Sequence, residues 1–233
     1  MASPSLHCIS SMATRLLLAD LAGQWQQRSG VAVRVESVGG VDAAKRVAAG
    51  EAFDLVVLAS DAIDKLQAAG HVLAGSRADL VRSGVAVAVR AGAPRPDIGS
   101  EAALRAAVLA AHSIGYSTGP SCTALLQLFE RWGLADTLRD RLRQSPAGVP
   151  VGAMVAQGQV ELGFQQLSEL MHLPGIELVG AMPEGCAIVT TFSAGLCSRS
   201  TQAEAAQALI HFMQSPDTAA LKRRHGMEPG DSR

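Results

Sequence analysis

A turn rich in hydroxyl groups and glycine, at residues 117–121, offers the clearest chemistry in this sequence. It contains Ser117, Thr118, Gly119 and Ser121, and the segment after it repeats apolar residues at helical spacing. Backbone N–H groups at the start of a helix are free to bind an anion, and neighbouring hydroxyl groups add donors. An ordinary helix cap is the alternative interpretation, because serine and threonine also favour that position.

Similar turns follow other predicted strands. Because they come where a strand ends and a helix begins, they strengthen the prediction of a binding site. The further candidate ligand-binding residues are Ser10, Ser11, Gly39, Gly40, Gln165 and Gln166, and another turn precedes the helix predicted after residue 152. The paired glutamines are the most specific of these, since each amide both donates and accepts hydrogen bonds. A polar strand edge is the alternative interpretation of that pair.

Groups that could act as a general base are few and have no diagnostic spacing. General acid–base catalysis needs such a group within hydrogen-bond reach, about 3 Å, of the proton that it moves, together with donors that stabilise the developing charge. The candidates are Asp42, Asp61, Glu169, Tyr116, Cys122, His7 and His112. The alternative roles are helix capping for the two aspartates and a structural contact for the glutamate. The sequence therefore does not identify a catalytic residue, should this chain be an enzyme.

The elements that must position these residues alternate between strand and helix. Residues 6–9, 31–36 and 54–59 have strand patterns, and a helix pattern follows each of them. This alternation predicts an α/β fold with a mostly parallel sheet and helices on both faces. Ligands of such sheets bind at the carboxyl ends of the strands, where the polar turns fall. A further helix is predicted at residues 138–143.

Two long apolar strands, at residues 82–90 and 186–197, divide the chain into two Rossmann-like lobes. The first lobe is predicted to be discontinuous, at residues 1–83 plus 190–233, and the second to span residues 84–189. A cleft between two lobes is a favoured place for a ligand, and two strand crossings would act as a hinge that closes around it.

Composition and charge exclude several classes of protein. The chain has 233 residues, of which 48 % are hydrophobic and 18 % charged, and its formal net charge of −1 does not favour nucleic acid. No apolar run predicts a transmembrane helix and no signal peptide is recognisable, so the chain as written is expected to be cytoplasmic, or periplasmic if it is a processed mature form. No metal-site spacing is present, and no cofactor is expected. The disulfide state stays open for all four cysteines, Cys8, Cys122, Cys186 and Cys197.

The order of the motifs resembles one known family. The segments that carry the likeness are Ser10-Ser11, Gly39-Gly40, residues 54–61, residues 117–121 and residues 163–170. Together they resemble the molybdate-binding-protein-like family, a branch of the type 2 periplasmic binding proteins, over essentially the whole chain. The resemblance implies that hydroxyl and backbone N–H groups of both lobes hold an oxyanion. It places the contacts on Ser10 or Ser11, Gly39, Gly40, the turn at 117–121, Val151, Gly152 and Gln166.

Two departures from that family argue against molybdate as the ligand. Molybdate binders have a tyrosine where Gln166 stands, and they have a serine in the turn formed here by Gly39 and Gly40. The segments at residues 163–170 and 222–229 look more like a subgroup that handles organic di- and tricarboxylates. Some members of this subgroup resemble aconitate isomerase, which moves a double bond by a 1,3-proton shift without a cofactor.

Two functions are therefore predicted as alternatives. The first is a solute-binding protein for a small anion, most consistent with a di- or tricarboxylate, or else the molybdate- or oxyanion-binding component of an ABC importer. The second is an isomerase of an unsaturated polycarboxylate. A cytoplasmic effector-binding domain is a weaker third interpretation, since the sequence has no helix-turn-helix segment. The expected partners are the anion, an ABC permease in the importer case, and a second copy of the chain if it is a homodimer; neither nucleic acid nor membrane insertion is expected.

Overall fold

The computed structural model describes residues 5–146 and 148–230 and has two compact α/β units. Unit 1 comprises Met1–Arg82 and Thr191–Arg233, and unit 2 comprises Ser83–Thr190. Each boundary differs by one residue from the predicted lobe boundary. None of the helices within the described residues is long and apolar enough to span a bilayer.

Unit 1 begins with three strands that alternate with helices, as the sequence pattern predicts. Its first elements are β1 (Ser5–Ser11), α1 (Arg15–Ser29), β2 (Ala32–Val38), α2 (Gly40–Ala48), β3 (Leu55–Ala59), α3 (Ser60–Ala68) and the first part of β4 (Ala78–Arg90). Strand β1 lies between β2 and β3 and pairs in parallel with both. The predicted parallel α/β arrangement is therefore confirmed.

Unit 2 repeats this arrangement with shorter elements. After the remainder of β4 it contains α4 (Glu101–Ala110), β5 (Ile114–Tyr116), α5 (Pro120–Arg131), α6 (Ala135–Leu138), β6 (Leu142–Gln144), α7 (Val151–Ala156), β7 (Leu162–Gln166), α8 (Leu167–Leu170) and β8 (Ile176–Ala181). Strand β5 pairs in parallel with β6 and β7, and β4 pairs antiparallel with β7 and β8. The chain returns to unit 1 through β9 (Val189–Leu196) and ends there with α9 (Ala203–Gln214), α10 (Ala219–Arg224) and β10 (Met227–Pro229).

The helix predicted at residues 138–143 is wrong. Helix α6 ends at Leu138, and residues Leu142–Gln144 instead form the edge strand β6. Pairing with β5, in which Ile114 lies opposite Leu142, supplies the backbone hydrogen bonds that a helix would otherwise have made. The partner strand lies more than twenty residues away in the sequence, so a local pattern does not reveal it.

The core of unit 1 lies on both faces of its sheet. All five residues of β3 are buried, and successive side chains enter different apolar clusters: Leu55 and Val57 pack with Leu6, whereas Val56 and Leu58 pack with Ile63. Burying a side chain of this size stabilises the fold by roughly 1.5–3 kcal/mol. A strand that is apolar on both faces is held firmly in register, and so are the residues at its end.

In unit 2, glycines allow α7 to lie close against the sheet. A Cβ on Gly115 of β5 would lie 2.8 Å from Val160 and 2.9 Å from Val151, and one on Gly163 of β7 would lie 2.5 Å from Val155. The absence of side chains at these two positions therefore brings the start of α7 close to the strands that precede the candidate site.

Candidate functional site

The carboxyl ends of β1, β2 and β3 lie at one edge of the unit 1 sheet. Ser10 is opposite Ser37 in β2 and opposite Val57 in β3. Helices α2 and α3 begin at this edge, and a short 3-10 turn leads from β1 into α1. We call this the unit 1 edge, and it contains four of the predicted ligand residues, Ser10, Ser11, Gly39 and Gly40.

Ser10 and Ser11 have different surroundings. The hydroxyl of the fully buried Ser10 lies 2.8 Å from the hydroxyl of Ser37 and donates to the carbonyl of Ser11 at 3.2 Å. Ser11 is 7 % exposed, and its buried Oγ has no hydrogen-bond partner among the described residues. Of the two serines that the sequence proposes, Ser11 is therefore the one whose hydroxyl is available to a ligand.

Gly39 and Gly40 begin α2 beside Ser11. A Cβ on Gly40 would lie 3.7 Å from the Cβ of Ser11, so the first turn of α2 and the unpartnered hydroxyl are neighbours. Gly39 occupies the position before the helix, and no side chain caps it. Asp42 lies in the first turn of α2 and Asp61 in that of α3; both are exposed, and neither makes a capping hydrogen bond to its helix. Helix capping in the strict sense is therefore not their role.

The unit 2 edge is the corresponding end of β5, β6 and β7. Tyr116 lies opposite Gln144 on one side and Phe164 on the other, and α5, α7 and α8 begin just beyond these strands. The predicted ligand residues of this unit, from Ser117 to Gln166, come together at the starts of these helices.

No hydroxyl group of the 117–121 turn caps α5. Gly119 precedes the helix with a φ of 93° and a ψ of −167°, a conformation that strongly favours glycine. Ser117 donates weakly to the carbonyl of Thr118 at 3.4 Å, and Thr118 is exposed. Ser121 is buried in the first turn of α5. The ordinary-cap interpretation therefore finds no support in the geometry.

The two adjacent glutamines have separate roles. Gln165 Oε1 accepts the backbone N–H of Gly152 at 3.2 Å, and its Nε2 donates to Glu169 at 2.9 Å, so both ends of its amide are occupied. Gln166 donates to the hydroxyl of Thr190 at 2.9 Å, while its Oε1 is buried with no partner among the described residues. Gln165 therefore links Gly152 to Glu169 within unit 2, whereas Gln166 keeps one polar atom that could bind a ligand.

Among the candidate bases, Glu169 has the most unusual environment. Burial raises the pKa of its carboxyl from 4.5 to about 7, with the hydrogen bond from Gln165 acting in the opposite direction. Burial also raises the pKa of Tyr116, assisted by Cys122, and that of the Cys122 thiol. Neither of these two groups is therefore ionised at neutral pH.

The two histidines lie away from the carboxyl edges. His7 is in the middle of β1, where its Nδ1 lies 3.2 Å from the carbonyl of Ala52. His112 precedes β5, at the opposite end of that strand from the unit 2 edge, and it pairs with Glu161. Neither histidine therefore lies at the edge where the predicted ligand residues come together.

Residues 6–228 match the family described as bacterial extracellular solute-binding protein. This chain belongs to that family. An aconitate isomerase from Pseudomonas sp. is 37 % identical to it over an alignment of 231 positions, and this alignment covers 97 % of this chain and 88 % of the relative. The resemblance to this group, inferred from the motifs, is therefore confirmed.

Solved structures show the same fold. The periplasmic molybdate-binding protein of Azotobacter vinelandii superimposes with a TM-score of 0.79 at 21 % identity, over 95 % of this chain and 98 % of that chain. The sulfate-binding protein SubI from Mycobacterium tuberculosis H37Rv gives a TM-score of 0.79 at 17 % identity, over 97 % and 87 % of the two chains. The predicted periplasmic-binding-protein fold is confirmed by these likenesses.

Sequence reasoning missed two polar residues of this solute-binding protein. The hydroxyl of Ser37 forms a hydrogen bond with that of Ser10, and the hydroxyl of Thr190 accepts one from the amide of Gln166. Ser37 stands directly before the Val-Gly-Gly turn at the end of a predicted strand, which is a usable signal. Thr190 lies inside a long apolar strand pattern, and only the fold brings it to Gln166.

All four cysteines are buried and free, so none is in a disulfide. Within residues 5–146 and 148–230, no group of three or more His, Cys, Asp or Glu side chains is arranged to hold a metal ion.

Proposed function

We propose that this solute-binding protein binds a small organic di- or tricarboxylate with neutral donors. The observation that carries the proposal is a pair of buried polar atoms that lack partners among the described residues, Ser11 Oγ at the unit 1 edge and Gln166 Oε1 at the unit 2 edge. A buried polar group without a partner costs about 1–3 kcal/mol, so such groups are normally satisfied by a ligand or by water.

The proposed donors are neutral dipoles, which suffice to hold an anion. The set of donors consists of backbone N–H groups in the first turns of α2 and α5, the hydroxyls of Ser11 and Ser121, and the amide of Gln166. The other residues predicted from the sequence lie at the same two edges and are Ser10, Ser117, Thr118, Gly119, Val151 and Gly152. In this proposal Gln165 orders the unit 2 edge by holding the N–H of Gly152.

A carboxylate ligand fits these donors better than molybdate does. The amide of Gln166 presents either its N–H or its carbonyl to a ligand, because the hydroxyl of Thr190 pairs with whichever end faces it. A hydroxy acid such as citrate carries a hydroxyl besides its carboxylate oxygens and can therefore use either end of this amide, whereas molybdate offers oxygens alone. The 37 % identical relative is named for an unsaturated tricarboxylate, which supports the same class of ligand.

Thermal-shift screening of the purified protein tests the proposal. The panel consists of citrate, cis-aconitate, trans-aconitate, molybdate, tungstate and sulfate. A ligand at a hundredfold excess over its Kd stabilises the folded state by about 2.7 kcal/mol, which for a chain of this size raises Tm by several degrees. We expect a shift with at least one carboxylate. A shift with molybdate, and with no carboxylate, contradicts the assignment.

A second candidate function is isomerisation of the bound polycarboxylate. One specific observation favours it: Glu169 is a carboxyl with a pKa of about 7 at the unit 2 edge, near the value that suits a general base at neutral pH. The 37 % identical relative is named an isomerase, which supports the same class of reaction.

The cellular location and the protein partners of this chain depend on whether it is a binding protein or an isomerase. We infer that a binding protein of this extracellular family would deliver its anion to an ABC permease from the periplasm, whereas an isomerase needs no permease. Cell fractionation with an antibody against the native protein separates a periplasmic from a cytoplasmic location. A homodimer stays a prediction, which sedimentation of the purified protein checks.

A further inference from the structure

We propose that Glu169 transfers the proton in a double-bond shift of the bound polycarboxylate and that Gln165 positions it. This inference rests on the isomerase form of the proposed function and names the group that carries it out.

A chain of two hydrogen bonds ties Glu169 to the start of α7. The N–H of Gly152 donates to Gln165 Oε1 at 3.2 Å, and Gln165 Nε2 donates to Glu169 Oε1 at 2.9 Å. Gln165 is only 3 % exposed, so water does not compete for its amide. The carboxyl of Glu169 is thereby held one glutamine side chain away from the first turn of α7, at the unit 2 edge.

Close packing fixes this arrangement. A Cβ on Gly152 would lie 2.4 Å from Leu173 and 3.1 Å from Leu170, so α7 lies directly against α8 and the residues after it. Leu170 is buried beside Ala86 and Ala88 of β4. Helix α8 therefore has little freedom to turn Glu169 away.

The carboxyl of Glu169 has no counter-charge among the described residues. Helix α7 (Val-Gly-Ala-Met-Val-Ala) and strand β7 (Leu-Gly-Phe-Gln-Gln) carry no titratable side chain. His172, three residues farther on, is exposed, and Glu177 of β8 pairs with Arg95. The environment is consistent with a pKa of about 7, so both protonation states are accessible near neutral pH.

One carboxyl can complete the reaction in two balanced steps. In the first, the Glu169 carboxylate takes a proton from the methylene next to the C=C bond: a C–H bond breaks, an O–H bond forms, and the electron pair spreads through the double bond onto the conjugated carboxylate. In the second, the new O–H bond of Glu169 breaks and the proton joins the carbon at the other end, which leaves the double bond displaced. Nothing is oxidised or reduced, and the N–H groups of the helix starts stabilise the intermediate charge.

Proton exchange measured by NMR in deuterated water tests the proposal, with trans-aconitate as the probe. The variants are Glu169→Gln, which keeps the acceptor for Gln165, Glu169→Asp, and Glu130→Gln as a matched control on an exposed helical glutamate. Calorimetry of trans-aconitate binding accompanies each variant. We expect exchange at least 100-fold slower in E169Q with unchanged or tighter binding, partial activity in E169D, and wild-type exchange in E130Q.

The pH profile separates positioning from a purely structural role. The wild-type rate should rise through about pH 7 as Glu169 ionises, and Gln165→Ala should move that midpoint upwards, since the hydrogen bond from Gln165 stabilises the carboxylate. Wild-type exchange in E169Q overturns the proposal, as does an unchanged midpoint in Q165A for the positioning role. Binding of trans-aconitate without exchange, or no binding of it, by the wild type overturns only this inference, whereas binding of no carboxylate in the thermal-shift panel also contradicts the proposed function.

Discussion

Single residues decide what this protein can hold, and neighbours in the sequence differ sharply. Ser10 and Gln165 are occupied by internal hydrogen bonds, whereas Ser11 and Gln166 each keep one buried atom without a partner among the described residues. The sequence could not separate the members of each pair, because their partners, Ser37, Gly152 and Thr190, come from other segments. It did predict that both pairs would lie at the ends of strands.

Alanine at the two serines should give opposite results. Ser11→Ala removes a buried hydroxyl without a protein partner, so the free energy of unfolding should stay the same or rise while affinity for the carboxylate falls at least tenfold. Ser10→Ala leaves the hydroxyl of Ser37 without its partner and should lower stability by about 1–2 kcal/mol. Urea denaturation and calorimetry measure the two effects. A large loss of stability in S11A, with affinity retained, contradicts the role given to its hydroxyl.

Glu169 should also make stability depend on pH. Its pKa is about 7 in the folded state and near 4.5 when exposed, so the folded state binds the proton more tightly and stability falls as pH rises from about 4.5 to about 7. The contribution is at most about 3 kcal/mol, since a tenfold change in proton affinity corresponds to about 1.4 kcal/mol.

The matched variant for this pH effect is Glu169→Gln, which cannot ionise. Urea denaturation at pH 5, 6, 7 and 8 should show that E169Q lacks this part of the decline and is more stable than the wild type at pH 8. Parallel curves for the two proteins would exclude Glu169 as the titrating group.

At the scale of elements, the regular alternation of strand and helix patterns could be predicted from the sequence, whereas a short edge strand could not. The strand patterns before residue 60 predicted β1, β2 and β3 because an apolar strand with helices on both faces has a distinctive composition. Strand β6 was predicted as helix, since its three residues depend on pairing with β5. The start of α5 was predicted correctly as a turn, although a glycine conformation and not a hydroxyl cap begins the helix.

The start of α5 supplies a prediction at this scale. Gly119→Ala forces a side chain into a backbone conformation with a φ of 93° and should destabilise the protein by about 1–3 kcal/mol. Gly23→Ala is the control, because Gly23 lies inside α1 with nothing within 4 Å of its would-be Cβ. G23A should be neutral or stabilising by up to about 1 kcal/mol. Equal Tm values for the two variants would show that the turn at Gly119 is not strained by a side chain.

At the scale of the whole molecule, two α/β units are joined by β4 and β9, and each unit presents polar groups at the carboxyl ends of its parallel strands. The two long strand patterns were enough to predict the two lobes, and the order of the motifs was enough to predict the family. The ligand was less accessible to sequence reasoning, because neutral donors recognise anions by geometry and not by a distinctive charge pattern.

The most direct test of the account is the calorimetric affinity for trans-aconitate or citrate, whichever gives the larger thermal shift, in the wild type, Ser11→Ala and Gln166→Ala. Each variant removes a side-chain group from one unit, and Ser29→Ala, an exposed serine at the end of α1, is the control. We predict that S11A and Q166A each weaken binding at least tenfold while S29A binds like the wild type. Unchanged affinity in either S11A or Q166A would contradict the claim that both side chains bind the carboxylate.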